Sequence, residues 1–348
     1  MEREVLEFDV QFVGAGPAGL AGAIHLANLV TKHNETATTT GGTALPELNI
    51  AVLEKSSEVG QHGISGAVMD PRALRELMPD YVAKGCPIEA EVTGDDVYIL
   101  FEKSQFRLPF LPPALHNHGN AIVSLGELSK WLAAEAEARG VLIATETPAQ
   151  TPLLDGQKLL GVRTGDKGVD KHDNKKPTYQ PGADCLAKVT VLCEGPRGTT
   201  AKQLEKALGL NAGKQPQVYA TGVKELWEVP AGRAQKGRVI HTMNWPLTAD
   251  TFGGGFIYGL SDSLWYVGCV TGLDAKDPTS DPHGNLQRLK THPLVSALLE
   301  GGKPISYGAK AIPATCTLTM FSIILFCSTI SVSAIGPTQR ISTSNCLA

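Results

Sequence analysis

Apolar positions in the first 55 residues fall into three groups. Val10, Phe12 and Val13 form a short apolar run, Leu20 to Leu29 is rich in Ala and Leu, and Asn49 to Leu53 holds a second short run. Lengths and flanking glycines predict strand, helix, strand. Residues 31–48 between helix and second strand are polar and Gly/Thr-rich at first, without apolar period, and predict an inserted flexible loop.

The pattern continues in the same way. Pro71 to Leu77 predicts a short helix with proline in its first turn, and Val97 to Phe101 alternates like a strand. Leu125, Leu128, Trp131, Leu132 and Ala136 have helical spacing, Gly140 ends that helix, and Val141 to Ala144 follows as a strand. Asp155 to Tyr179 predicts a hairpin or loop region. Lys188 to Cys193 predicts a buried strand, and Thr200 to Leu208 a helix. From Val218 onward the character changes. Val218–Trp227, Gly237–Asn244, Gly255–Tyr258 and Trp265–Val270 predict an antiparallel sheet with Gly/Asp turns.

The first strand runs into Gly14-Ala15-Gly16-Pro17-Ala18-Gly19, a Gly-x-Gly-x-x-Gly motif that opens the helix. Gly14 permits a tight turn, Gly16 lets the backbone approach a pyrophosphate, and Gly19 lets helix pack on strand. First-turn N–H groups would then meet two phosphates with the helix dipole behind them. The second strand ends in Glu54, followed by Lys55, an acid placed to accept from ribose hydroxyls. Glu54 lies 35 residues after Gly19, more than the usual spacing of about 20, and the inserted loop accounts for the excess.

Composition narrows the options. The 348 residues exceed one typical domain, and 42% hydrophobic content supports a substantial core. A net charge of −4 without a basic stripe excludes an electrostatic case for nucleic acid. Seven dispersed cysteines lack the spacing of a local zinc or iron–sulfur site and fit a reducing compartment. Cys193 and Cys269 fall in apolar strands and read as small buried hydrophobes. The charged start, Met1 to Glu7, has neither a secretory signal nor an Arg/Ser-rich transit peptide. Phe106 to Leu115 is apolar but broken by prolines. It is suited to lie on a bilayer, to line a hydrophobic channel, or to form a core-facing loop. The 29 residues from Ala311 to Gln339 carry no charge or histidine. Their length admits a membrane span, while eight Ser/Thr between Thr315 and Ser333 argue against one.

An ordered series of segments resembles the electron transfer flavoprotein–ubiquinone oxidoreductase family from about Glu4 to Ile312. They are Val13–Leu20, Leu53–Lys55, Ser65–Leu74, Asn117–Asn120, Gly222–Val229, Gly253–Tyr258, Gly272–Asp274, Lys290–Pro293 and Leu299–Lys303. The resemblance implies an α/β fold: a Rossmann-like FAD-binding domain interleaved with an antiparallel β-sheet quinone-binding domain. It divides the chain into FAD-binding parts at 1–96 and 121–212, a membrane- and quinone-contact excursion at 97–120, a quinone-binding domain at 213–312, and an apolar tail at 313–348.

The resemblance also implies functional residues. FAD falls to Gly14, Ala15, Gly16, Gly19, Glu54, Lys55, Ser65, Gly66, Glu194 and Gly195. Ubiquinone falls to the backbone of Gly253 and Gly254, because glycine N–H and C=O groups can reach a flat ring. Phe106–Leu115 resembles the family's membrane-contacting stretch. The implied activity moves electrons from reduced electron transfer flavoprotein to ubiquinone, at the inner mitochondrial membrane in a eukaryote and otherwise the bacterial inner membrane. Neither a catalytic acid or base nor a metal ligand is assigned.

Three departures bear on this reading. The cysteine ligands of the family's [4Fe–4S] cluster have no counterpart, the sequence from Pro313 is unlike the family's, and Ser124 stands where the family has an arginine. Two further readings stand beside the first. One is another flavoprotein of the geranylgeranyl-reductase or monooxygenase type. The other is a truncated, non-functional product.

Overall fold

The computed structural model describes residues 3–63, 66–172, 174–214, 216–313 and 324–327. Strand β1 (Val5–Val13) leads into helix α1 (Pro17–Thr40), β2 (Ile50–Leu53), β3 (Gly66–Met69) and α2 (Arg72–Leu77). Next come β4 (Ile88–Glu91), β5 (Gly94–Leu100), β6 (Gln105–Arg107), β7 (Ala121–Ser124), α3 (Leu125–Glu137) and β8 (Leu142–Ala144). These are followed by β9 (Ala149–Asp155), β10 (Lys158–Thr164), β11 (Lys167–Val169), β12 (Lys175–Gln180), β13 (Asp184–Leu192) and α4 (Thr199–Ala207). The last stretch holds β14 (Tyr219–Glu228), β15 (Arg238–Asn244), β16 (Gly253–Gly259), β17 (Leu264–Gly272), α5 (Pro282–Thr291), α6 (Pro293–Leu299), β18 (Lys303–Pro313) and β19 (Ile324–Cys327).

Two units emerge. The first draws on Met1–Gly63 and Leu128–Lys214 and includes β19; the second draws on Ile64–Glu127 and Gln215–Met320. The first unit is built on a seven-stranded sheet in the order β8-β2-β1-β13-β10-β9, with β19 also on β13. β1 pairs in parallel with both β2 and β13. All four side chains of β2 are buried, as expected of a parallel strand covered on both faces. Phe8, Val13, Ala51, Leu53, Val162 and Leu192 are among the residues that pack its core.

The sequence places a loop at 31–48, but α1 continues to Thr40. The threonine hydroxyls of this polar extension are satisfied within the helix itself. Thr36, Thr38, Thr39 and Thr40 donate to the carbonyls of Lys32, Asn34, Glu35 and Thr36, each one turn back. Gly41, at φ 70°, ends the helix in the left-handed region, and only the segment after it is irregular.

In the second unit a seven-stranded sheet runs β18-β14-β17-β16-β15-β5-β6. Side chains alternate along β16. Ile257 points into a core with Trp265, Leu286, Leu289 and Val295, while Phe256 and Tyr258 pack with Val68, Ala90 and Ile122 of β3, β4 and β7. That second packing layer explains a shifted boundary. Residues 64–127 belong with the second unit, so neither 64–96 nor 121–127 extends the first unit, and 97–120 is not a separate excursion. β5 is an integral strand that pairs in parallel with β15, so the sheet is not wholly antiparallel. Among the described residues no helix is long and apolar enough to cross a membrane. Most of the 313–348 tail lies outside the described residues.

Candidate functional site

The glycine turn sits where β1 meets α1. Gly14 has φ +109°, and a Cβ there would come 2.4 Å from the Cys193 carbonyl oxygen. A Cβ on Gly19 would meet the Gly14 carbonyl oxygen at 2.1 Å. Both glycines are thus required by the backbone itself. Gly16 differs: a Cβ there meets nothing within 4 Å. Gly16 caps α1 without a side-chain hydrogen bond, and the first turn carries no acidic residue. The positive end of the helix is left for an anion.

Glu54 closes the same turn. Its Oε2 accepts from the Ala15 N–H at 2.9 Å, and its Oε1 accepts from the Ser56 N–H at 3.0 Å and the Ser56 hydroxyl at 2.6 Å. Burial disfavours its charged form, but the bonds from Ser56 and Ala15 outweigh burial and hold its pKa below the usual value. Ala15 is buried and Lys55 is exposed beside Glu54.

The remaining expected FAD residues have distinct settings. Glu194 follows β13, and its carboxylate caps α4. Oε1 accepts from the N–H groups of Thr199 (3.0 Å) and Thr200 (3.1 Å), and Oε2 from Ala201 (2.9 Å). This capping accounts for an acid at that position without any ligand. Gly195 turns at φ +79° with open space where a Cβ would stand. Gly66 begins β3 in the second unit. Ser65 lies outside the described residues.

Gly253 and Gly254 open β16 at φ +142° and +159°. A Cβ on Gly253 would lie 2.0 Å from the Val270 carbonyl oxygen, and one on Gly254 would lie 2.3 Å from that of Thr242. Close approach of β17 and β15 therefore demands glycine at both positions. In the 106–115 stretch, Phe106 and Phe110 are 54% and 67% exposed, which removes the core-facing reading at these two rings.

Other polar groups escaped the sequence reading. Lys224 on β14 is 5% exposed, its Nζ lies 3.7 Å from the centroid of the Tyr266 ring, and it has no hydrogen-bond partner among the described residues. Burial pushes its pKa down to about 7. The buried Tyr258 hydroxyl also lacks a partner there, and burial raises its pKa. His241 on β15 is 9% exposed and reaches Asn117. The Gly222–Val229 and Asn117–Asn120 matches were the available signals, since they place polar residues in or beside apolar strands.

The described cysteines do not form a metal site. Among the described residues no group of three His, Cys, Asp or Glu could hold a metal ion. Burial pushes the Cys185 and Cys193 thiols up to about 11 and that of Cys269 to about 12. No iron–sulfur step is assigned to them.

Residues 219–312 match the sequence model of the ETF-QO ubiquinone-binding family. The chain is 43% identical over 317 residues to electron transfer flavoprotein–ubiquinone oxidoreductase of Pseudomonas aeruginosa. It is 42% identical over 317 residues to the mitochondrial protein of that name from Bos taurus. The chain's relatives are electron transfer flavoprotein–ubiquinone oxidoreductases. These matches cover 90% of this chain but only 56% and 49% of the two relatives, so the chain spans about half of the relatives' length. Solved structures agree on the fold. A geranylgeranyl bacteriochlorophyll reductase-like protein from Thermoplasma acidophilum superposes with TM-score 0.62 at 16% identity, over 89% of this chain and 67% of that one. A myxobacterial chondrochloren halogenase, a variant of FAD-dependent halogenases, gives TM-score 0.55 at 17% identity, over 88% and 64%. The Rossmann-like α/β fold that the resemblance implies is shared with these solved structures.

Proposed function

We propose that this chain binds FAD and passes electrons from reduced electron transfer flavoprotein to ubiquinone. The 43% identity along nine-tenths of the chain carries the reading. The first unit's geometry supports the cofactor. Gly16 leaves open space at the uncapped start of α1, and Glu54 stands at the neighbouring strand end, where α/β sheets hold nucleotides. FAD supplies chemistry that handles electrons singly or in pairs. Gly14, Ala15, Gly16 and Gly19 would hold its pyrophosphate and Glu54 its ribose, with Lys55 and Gly195 of the same unit beside them. Glu194 would serve there indirectly, by fixing the turn through α4.

Ubiquinone would meet the second unit at Gly253 and Gly254. The match of residues 219–312 to a ubiquinone-binding family supports this placement. The exposed Phe106 and Phe110 support contact of the 106–115 stretch with a membrane surface, where the isoprenoid tail resides. A bacterial or mitochondrial inner membrane would be the setting, as relatives of both kinds carry the match.

The test is flavin content and quinone reduction. The full chain, purified in detergent with added FAD, should retain yellow flavin through gel filtration. After photoreduction it should reduce ubiquinone-1. A colourless chain, or reduced flavin that ubiquinone-1 cannot reoxidise, would reject the proposal.

A further inference from the structure

The Lys290–Pro293 segment is explained neither by the glycine turn nor by the quinone glycines. It forms the corner between α5 and α6. Lys290 Nζ donates to both carboxylate oxygens of Glu225 on β14, at 2.9 and 2.7 Å, and Trp227 Nε1 donates to the same carboxylate at 2.7 Å. Leu286 and Leu289 of α5 are fully buried in the core of that sheet. The corner is therefore a fixed mount.

From this mount His292 reaches the turn between β5 and β6. Its side chain is fully buried. Nδ1 accepts from the Leu294 N–H at 3.2 Å. Nε2 lies 3.0 Å from the Phe101 carbonyl oxygen and 3.3 Å from that of Ser104. An N–H on one side of the ring and two carbonyls on the other leave one tautomer, with the proton on Nε2. One ring thus caps α6 and donates to both ends of the turn. Trp245 stands against it with ring centroids 5.5 Å apart. The Trp245 N–H and the Asn244 side chain both donate to the Leu100 carbonyl, so the root of the turn is held as well.

The turn carries exposed apolar side chains. Phe101 is exposed within it, and Phe106 is exposed on β6 just beyond. Phe106 is the register partner of Ile99, and Ile99 of Met243 on β15, which is also exposed. Cross-strand partners share a face, so Phe106, Ile99 and Met243 make one apolar row over three strands. Leu100, next to Ile99, points the other way, into the core that holds Leu289.

We infer that His292 is a positioning residue for docking on a lipid bilayer. Through its Nε2–H it holds the 101–104 turn so that the row of Phe106, Ile99 and Met243 meets the lipid as one face. The inference rests on the membrane reading above. With the turn untethered, Phe101 and Phe106 move independently of Met243, and ordering them on contact costs affinity. Held by His292, they are ordered beforehand.

Two substitutions separate the two bonds of the ring. In H292N the amide oxygen replaces Nδ1 and still caps α6, but the side chain is too short to reach the turn. In H292Q the amide nitrogen replaces Nε2 and still donates to the turn, while the cap is lost. Both lose the ring against Trp245, so that cost is common to them. The full chain, purified in detergent with FAD, is transferred to dioleoylphosphatidylcholine vesicles and floated. H292N should partition into vesicles about tenfold less than the parent, and amides of residues 101–106 should exchange hydrogen about tenfold faster, the scale of one or two hydrogen bonds. H292Q should stay within about threefold of the parent in both measurements. Equal losses in the two variants would mean that the ring acts by packing alone, and parental vesicle binding in H292N would mean that the turn needs no tether. Either result overturns the proposal. Nitrogen NMR on the parent chain with labelled histidine covers variants that fail to fold. An Nε2–H tautomer at His292 with a slowly exchanging proton supports the tether, and an Nδ1–H tautomer overturns it. A parent chain that stays off the vesicles overturns the membrane reading and this proposal together.

Discussion

The Ala15 N–H donates to Oε2 of Glu54 across 2.9 Å, joining residues at the carboxyl ends of two adjacent parallel strands. That crevice is where open α/β sheets place ligands. The carboxylate, held by Ala15 and Ser56, is fixed before any ribose arrives. Glu54→Gln should lower FAD affinity at least about tenfold, the scale of one charge-assisted hydrogen bond. Flavin absorbance titration measures it. Glu54's folded pKa is lowered, so its stabilising contribution is present above the unfolded value and lost as pH falls through the folded one. Between about pH 5 and 3 the variant should therefore lose less stability than the parent.

Gly14 and Gly16 should fail in different ways. The Cβ of Gly16→Val meets no protein atom within 4 Å, so the chain should fold with close to parental melting temperature yet lose flavin, because the side chain occupies the pyrophosphate position. Gly14→Ala meets the Cys193 carbonyl at a strained φ, and should lose roughly 1–3 kcal/mol of stability. Melting curves and bound flavin, measured on both variants, separate the two effects. A destabilised Gly16→Val would mean that the groove is not open.

Local chemistry explains what the sequence revealed. β2 was legible because a parallel strand buried on both faces is apolar throughout, the end of β1 because its last residues Phe12 and Val13 are buried and apolar, and the turn because it needs glycine at fixed places. The end of α1 was not legible. Its last turns are polar and threonine-rich, a composition that signals loops, although the hydroxyls find acceptors one turn back in the helix. The unit boundary was hidden for another reason. Val68, Ala90 and Ile122 look like ordinary strand residues, and only the tertiary fold sets them against Phe256 and Tyr258. His241 could not be linked to Asn117 either, since 124 residues separate them.

Gly253 carries two demands, and substitution should expose the structural one first. Gly253→Ala would press a methyl group against the Val270 carbonyl and the Leu247 side chain. The expected loss is roughly 2 kcal/mol or more, seen as a lower melting temperature in quinone-free protein. A variant with parental melting temperature but weakened ubiquinone-1 binding would place the quinone contact at the Cβ position itself and remove the steric account.

Lys224 should leave a signature in stability against pH. Burial lowers its folded pKa to about 7, whereas an unfolded lysine titrates near 10.4. Between those values the unfolded chain binds more protons than the folded chain, so stability rises with pH there. Above about pH 8.5 the buried thiols of Cys185 and Cys269 act the other way, because their folded values are raised. The clean window is therefore pH 7 to 8.5, and the rise across it should be on the order of 1–2 kcal/mol. Lys224→Met keeps the length of the side chain and removes the charge from the face of the Tyr266 ring. It forfeits a cation–π contact but relieves a buried cation with no hydrogen-bond partner among the described residues, and the relief is the larger effect. The variant should be more stable than the parent at pH 6 and should show a flatter curve from pH 7 to 8.5. Denaturant midpoints at several pH values test this. Parallel curves for parent and variant would show that Lys224 keeps its proton in the fold across this window and would overturn the lowered value.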